Sequence, residues 1–323
     1  MNPYLLPDGH VQVAFSGGRS SAYMLHQIIS ANGLDAMHDP RVQITFQNTG
    51  FEHEATLNFV AEVGRRWGVP ITWLEYRPVA PFFEVIGHQG AARRGEPFSA
   101  LVRKRRYLPN QQSRFCTIEL KVRTAKRYLV SLGWERWTNC VGFRADEPAR
   151  LNKPQRDRWT VWHPLATAGV TKQEVALFWR GHAFDLQLPN ANGKTPWGNC
   201  LACFLKSERV QVGVARDFPQ DHAIWEGLED WVGAIWPSLS PWQRLRRVVA
   251  SEGPEFARKV REAYGRPVPA RILAQIAERS QSAAQFSKRF SKRSLRRLVE
   301  DQGDWILSDE AGLCQADDGE CTG

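Results

Sequence analysis

Over its first two hundred residues the chain alternates short apolar runs, bounded by turn residues, with stretches whose apolar positions recur at helical spacing. The first run, residues 11–15, stops abruptly at Ser16-Gly17-Gly18, and from Ser20 onward Tyr23, Met24 and Ile28 fall on one helical face. Residues 42–47 and 71–76 read as second and third strands, with a helix between them through Leu57, Val60, Ala61 and Val63. Residues 121–132 read as a helix closed by Gly133, followed by a strand over 137–141. A further helix opens at Thr171, whose hydroxyl and Glu174 make a capping box. Such alternation predicts an α/β fold built on a doubly wound parallel sheet. Beyond Lys206 the pattern turns helical, over 221–236, 241–251, 254–264 and 268–284, with Ser240 and Pro241 opening the second of these and Gly265 closing the third. The expected division is an α/β unit over 1–206, a basic helical region over 207–300 and a cysteine-containing tail over 301–323.

Two segments break the pattern. Residues 81–110 carry Gly87, Gly90 and Gly95 with Arg93, Arg94, Arg103, Lys104, Arg105 and Arg106, and read as a long basic loop, either a lid or substrate-docking segment or a solvated insertion. Residues 152–159 form a second basic, polar loop.

The chemistry starts where the first strand meets its helix. Glycines let the backbone approach a ligand closely, and the unpaired N–H groups of a helix start point at an anion. Hydroxyls of Ser16, Ser20 and Ser21 add donors and Arg19 adds charge, although an ordinary strand-to-helix turn has the same outline. Ser16, Asn48 and Gly142 each follow a predicted strand, so all three fall on the carboxyl edge of the sheet, where α/β folds bind ligands.

Five segments, taken in order, carry a family likeness. Ser16-Gly17-Gly18-Arg19-Ser20-Ser21 resembles the PP-loop of the ATP pyrophosphatase superfamily, and Asn48-Thr49-Gly50-Phe51-Glu52 with Thr56-Leu57 resembles the NTG-F-x-x-x-T-L segment of phosphoadenylyl-sulfate (PAPS) reductase-like proteins. Cys116-Thr117 with Leu120-Lys121 is similar to that family's Cys-Thr/Cys-x-x-Leu-Lys segment. Gly142-Phe143-Arg144-Ala145-Asp146-Glu147 with Arg150 resembles its G-x-R-x-D-E-S-x-R loop, and Cys200-Leu201-Ala202-Cys203 matches its C-x-x-C. The resemblance implies a nucleotide site at Ser16, Gly17, Gly18, Arg19, Ser20, Ser21, Asn48, Thr49, Gly50, Lys121, Gly142 and Arg144. It implies an enzyme that holds ATP or a related adenine nucleotide, with Arg144 and Arg150 gripping phosphate or sulfate through forked contacts. Many family loops read SGGxDS; here Ser20 stands where the acid would be, leaving Asp146 and Glu147 as candidates for magnesium. The competing assignment for Arg144 and Arg150 is ion pairing with those same two acids.

In relatives that reduce adenylyl sulfate, a Cys-Cys pair and the C-x-x-C hold a [4Fe–4S] cluster. Here Thr117 takes the second place of the pair, so the implied ligand set is Cys116, Cys200, Cys203 and Cys321. Zinc on Cys200, Cys203, Cys314 and Cys321 competes, and a disulfide within the C-x-x-C ranks third. Sulfonucleotide reductases also carry a nucleophilic cysteine in a C-terminal Glu-Cys-Gly-x-His tail, which Glu320-Cys321-Thr322-Gly323 matches only in part. Cys140, within a predicted strand, reads as a buried apolar residue. The eight histidines show no ligand pairing, and the tryptophans read as packing.

Composition narrows the setting. The chain of 323 residues is 42% hydrophobic and 24% charged, which fits a globular protein. A net charge of +9 and a pI of about 9.4 favour polyanionic partners, and residues 287–299 concentrate Lys and Arg as either a nucleic-acid grip or the solvated face of a helix. No run is long enough to span a bilayer, no signal peptide is evident, and six cysteines with one C-x-x-C suit a reducing cytoplasm. Three functions follow as expectations. The first is a PP-loop enzyme transferring an adenylyl group or sulfur with an iron–sulfur cluster, acting on a tRNA or DNA substrate with a sulfur- or electron-donor protein. The second is a sulfonucleotide reductase acting through Cys321, and the third is a non-catalytic nucleic-acid-binding module with structural zinc.

Overall fold

The computed structural model describes residues 2–151, 157–190, 195–239 and 291–302, with scattered positions between 243 and 286. The helices expected over 241–251, 254–264 and 268–284, with their caps at Ser240 and Gly265, fall largely outside the described residues. So do residues 152–156, residues 287–290 and the tail with Cys314 and Cys321.

Six strands form one sheet: β1 (Val11–Ala14), β2 (Val42–Asn48), β3 (Ile71–Tyr76), β4 (Phe83–Ile86), β5 (Trp137–Val141) and β6 (Trp159–Trp162). Their order is β4-β3-β2-β1-β5-β6, parallel throughout except for β4, which runs antiparallel to β3 at the edge. Val13 lies opposite Ile44 on one side and Cys140 on the other, and all three are buried, as a parallel strand covered on both faces requires. Strand order reverses at β1, between β2 and β5, and that reversal opens a crevice at their carboxyl ends. Cys140 is fully buried with its sulfur 3.4 Å from Met24 Sδ, as the apolar assignment expects.

The helices are α1 (Arg19–Asn32), α2 (Glu54–Trp67), α3 (Glu96–Arg105), α4 (Thr124–Ser131), α5 (Pro148–Leu151), α6 (Pro164–Thr167), α7 (Lys172–Gly181), α8 (Glu208–Asp217), α9 (Pro219–Ile235) and α10 (Lys292–Gln302). Among the described residues, none is long and apolar enough to cross a membrane. Thr171 and Glu174 do form the capping box that opens α7.

Three readings of local sequence are corrected. Residues 81–110 are not one long loop: they supply β4 and then α3, which starts after Gly95 with Pro97 in its first turn. Gly95 sits at φ +69°, where a Cβ would lie 2.0 Å from the Phe51 ring, so the glycine belongs to a tight junction. The helix expected over 121–132 opens instead as a π-helix over Thr117–Arg123 before α4 continues, a wide turn often found at functional sites. The second polar loop ends in β6, whose four residues were too few to announce a strand.

A large apolar cluster between the sheet and its helices includes Val13, Leu25, Ile44, Phe59 and Trp179. A second contains Phe51, Phe98, Leu201, Phe204, Trp225 and Phe286, so apolar packing runs across residue 206 and joins α8 and α9 to the α/β part.

Candidate functional site

The loop between β1 and α1 is shaped by its neighbours. Gly17 has φ +76°, and a Cβ there would stand 2.8 Å from Thr56 Cγ2 and 2.9 Å from Val60 Cγ2 on α2. Only glycine fits under that helix. Gly18 is the N-cap of α1 and no side chain caps it. The helical ladder begins with Ala22 N–H donating to the Gly18 carbonyl at 3.0 Å, so the N–H groups of Arg19, Ser20 and Ser21 lie ahead of it. Ser21 staples the turn: its hydroxyl donates to the Gly18 carbonyl at 3.0 Å, lies 2.9 Å from Ser16 Oγ and accepts from Ser16 N–H at 3.2 Å.

The two arginines of this region are held by protein. Arg19 is buried; its Nε and Nη2 donate to the two Asp185 oxygens at 2.7 Å each, Nη2 reaches the carbonyls of Leu186 and Leu188, and Nη1 reaches Thr195 Oγ1 at 3.2 Å. The charge that the sequence offers to a phosphate is matched by Asp185, and Arg19 brings its backbone N–H to the loop. Arg144, also buried, donates from Nε to Asp146 at 2.9 Å and from Nη1 to Ser20 Oγ at 2.8 Å, while its N–H donates to Glu147 at 3.0 Å. Arg150 donates to the other Glu147 oxygen at 2.5 Å and covers the Phe143 ring. Ion pairing with Asp146 and Glu147, the lesser alternative in the sequence, is thus what both arginines do. Where family loops carry an acid, Ser20 accepts from a guanidinium. The two carboxylates offered for magnesium are engaged with cations, and Asp146 also accepts from Lys172 N–H at 3.3 Å.

Beside the loop lies a narrow cleft of about 30 Å³, lined by Ser16, Gly17, Gly18, Arg19, Ser20 and Arg144. Thr56, Lys172, Val175, Asn190, Thr195 and Asn199 line it as well. The start of α7 therefore faces the start of α1. Sequence reasoning missed Lys172, Asn190, Thr195 and Asn199; the capping box at Thr171 was the signal that could have found Lys172, the first residue of its helix. Ser21, Asn48, Thr49, Gly50, Lys121 and Gly142 do not line this cleft. Gly142 acts by closeness instead: a Cβ there would lie 3.3 Å from Ser21 Cα, so its absence lets the end of β5 meet α1.

The Asn48 segment builds a second, buried constellation. Asn48 donates to Glu75 at 2.6 Å and to the Ala92 carbonyl at 2.9 Å, and its own oxygen accepts from Gly50 N–H. Thr49 donates from backbone and hydroxyl to Glu52, and its hydroxyl lies 3.2 Å from Cys200 Sγ. Leu201 N–H donates to the Phe51 carbonyl, which docks the C-x-x-C turn on this loop. Burial pushes the Cys200 thiol up to about 12, Glu52 and Cys116 raise it too, and Lys121 and Thr49 pull the other way. Burial also raises the Glu52 carboxyl against the opposing pull of Lys121. From behind, the buried Lys292 ammonium donates to the Ala202 carbonyl at 2.8 Å and to Gln211 at 2.5 Å, bracing the turn from α10.

Among the described residues Cys116, Cys140, Cys200 and Cys203 form no disulfide with one another, and no three His, Cys, Asp or Glu side chains are grouped to hold a metal ion. The described thiols do not by themselves form the expected cluster cradle, and Cys314 and Cys321 lie outside the described residues.

Fold and site together define an α/β protein with a six-stranded, mostly parallel sheet and a glycine-turned loop at its topological switch. Over 214 residues the chain is 31% identical to a protein of Escherichia phage lambda, the "Uncharacterized nin region protein ORF290", covering 63% of this chain and 68% of that one. The chain belongs to the family of that phage protein. No protein-family model matches it.

Proposed function

We propose that this chain is a PP-loop enzyme of the PAPS reductase-like class that binds ATP or a related adenine nucleotide in the cleft between α1 and α7. The observation that carries this reading is a set of helix-start N–H groups, ahead of the α1 ladder, bordering a cleft at the switch point of the sheet. N–H groups fixed in place stabilise phosphate charge without reorganising. Gly17, Gly18, Arg19 and Ser20 present the backbone to the phosphates, Ser16 adds its hydroxyl, and Lys172 supplies a cation from the start of α7. Arg144 and Arg19 hold the loop in shape through Ser20 and Asp185. The reaction proposed is attack of an acceptor oxygen or sulfur on the α-phosphorus, forming the acceptor–phosphorus bond while the bond to the bridging α–β oxygen breaks. Pyrophosphate leaves with that electron pair, and the acceptor's proton passes to water. Positioning is the main demand of such chemistry.

Titration calorimetry with ATP, its non-hydrolysable analogue and adenylyl sulfate tests the site. Lys172→Gln and Ser16→Ala should each weaken nucleotide binding about tenfold, the value of one charge-assisted or well-made hydrogen bond, with unchanged circular dichroism. Equal affinity in both variants, or no adenine nucleotide bound by the native chain, refutes the assignment. The proposed iron–sulfur or zinc centre at the C-x-x-C is tested separately: anaerobic protein should carry metal that Cys200→Ala loses, and metal-free native protein removes that part of the reading.

A further inference from the structure

The face formed by the end of α3 and the π-helix is unusual in charge. Three guanidinium groups converge on one carboxylate: Arg123 donates to Glu119 at 2.6 Å, Arg127 at 3.3 Å, and Arg105 makes a third contact. Glu119 is buried, while the Arg105 and Arg123 side chains remain 47% and 53% exposed. Burial raises the Glu119 carboxyl, but the three arginines overcome it and hold that carboxyl below its usual range. Exposed Lys104 adjoins them: its ammonium and the Arg127 guanidinium both cover the Phe82 ring, at 4.6 and 5.1 Å, while Arg105 covers Phe115 at 5.8 Å. Three cations thus share the Glu119 carboxylate, and Lys104, whose ammonium donates to the Pro78 carbonyl at 2.5 Å, meets one of them over the Phe82 ring. Arg127 holds Glu119 from the inner side of this face, its side chain 28% exposed, less than those of Arg105 and Arg123.

We propose that this face, Lys104, Arg105, Arg123 and Arg127, binds the phosphate backbone of a nucleic acid. Excess cation over acid on a surface with exposed guanidinium groups is the footprint of a polyanion partner, and the net charge of +9 acts in the same direction at long range. Arginine forks match phosphate oxygens, and Arg105 and Arg123 can turn outward because the third arginine still satisfies Glu119. Contacts to phosphate oxygens carry no base information, so the binding is independent of sequence. These residues line no part of the cleft between α1 and α7. The inference therefore goes beyond the nucleotide reading and does not rest on it.

The test is fluorescence anisotropy with labelled DNA and RNA oligonucleotides of one mixed sequence, single-stranded and duplex, across a salt series. Three neutralised phosphates, on Lys104, Arg105 and Arg123, predict a slope of log affinity against log salt of about −2.1 for single strands and about −2.7 for duplex DNA. Lys104→Gln with Arg123→Gln leaves Arg105 and Arg127 on the buried carboxylate, so the fold is kept; this pair should shrink the slope by about 2 and weaken binding at least roughly tenfold near physiological salt. Single Lys104→Glu, whose side chain is exposed, repeats the test with a smaller risk to folding. Affinity of the double variant for ATP should stay at the native value. Binding to DNA, RNA or both supports the inference, and comparison of the two identifies the natural source. No oligonucleotide binding, a native salt slope retained in both variants, or capture only by phosphatidylglycerol vesicles overturns it, whatever the outcome for ATP.

Discussion

Asp185→Ala separates two roles for Arg19. In the structure the Arg19 guanidinium is 9% exposed and makes a two-pronged pair with Asp185, whose side chain is 33% exposed. Removing one member of a buried pair costs about 3–5 kcal/mol because the other charge stays behind without a counterion. Partial exposure of Asp185 and the remaining acceptors on Leu186, Leu188 and Thr195 place the loss at the lower end, about 3 kcal/mol. The strain falls directly on the loop between β1 and α1, since Arg19 opens α1 and its carbonyl accepts from the Trp179 indole at 3.0 Å. Urea unfolding followed by far-ultraviolet circular dichroism measures the change, which should lower the midpoint at an unchanged slope and reduce Tm by roughly 5 °C or more. Nucleotide affinity should fall as well, because the loop N–H groups lose their anchor. If Arg19 served a phosphate instead, freeing it from Asp185 would leave stability unmoved and tighten nucleotide binding. That pair of results refutes the reasoning.

Two further outcomes follow from the same geometry. Gly17→Ala places a methyl 2.8 Å from Thr56 and 2.9 Å from Val60 at a φ of +76°, so it should destabilise by about 2–4 kcal/mol and abolish nucleotide binding, measured by urea unfolding and calorimetry. His222 is buried, and burial, with Lys292 and Arg296 adding to it, pulls its pKa down to about 4 from 6.5. The unfolded chain then binds the proton that the native chain refuses, so stability is retained above pH 6.5 and falls by about 3 kcal/mol as pH drops from 6.5 to 4. His222→Gln should flatten that part of the stability-against-pH curve; an equally steep decline in the variant assigns the acid sensitivity elsewhere.

Local signals marked β1, the Ser16-Gly17-Gly18 turn and α1, because a strand, a glycine turn and a helix start each leave their own imprint on neighbouring residues. The Thr171 capping box was legible for the same reason. β4 and α3 were not, since Gly87, Gly90 and Gly95 suggested a loop, whereas Gly95 is needed for contact with Phe51, far away in the chain. The π-helix escaped notice because its residues have the spacing of an ordinary helix, and the wide turn follows from how it sits on α3, β2 and β3.

From sequence alone came the α/β class, the order of most elements and the glycine turn between β1 and α1, all properties of neighbours a few positions apart. Tertiary structure decided what each charge does. Asp185, 166 positions from Arg19, takes that guanidinium away from the cleft. Ser20, 124 positions from Arg144, receives the other. Lys172 comes to face the loop only when α7 packs on α1. A side chain's partner depends on distance in space, and the energy of a charge on its burial; neither quantity is written in the spacing of residues along a chain.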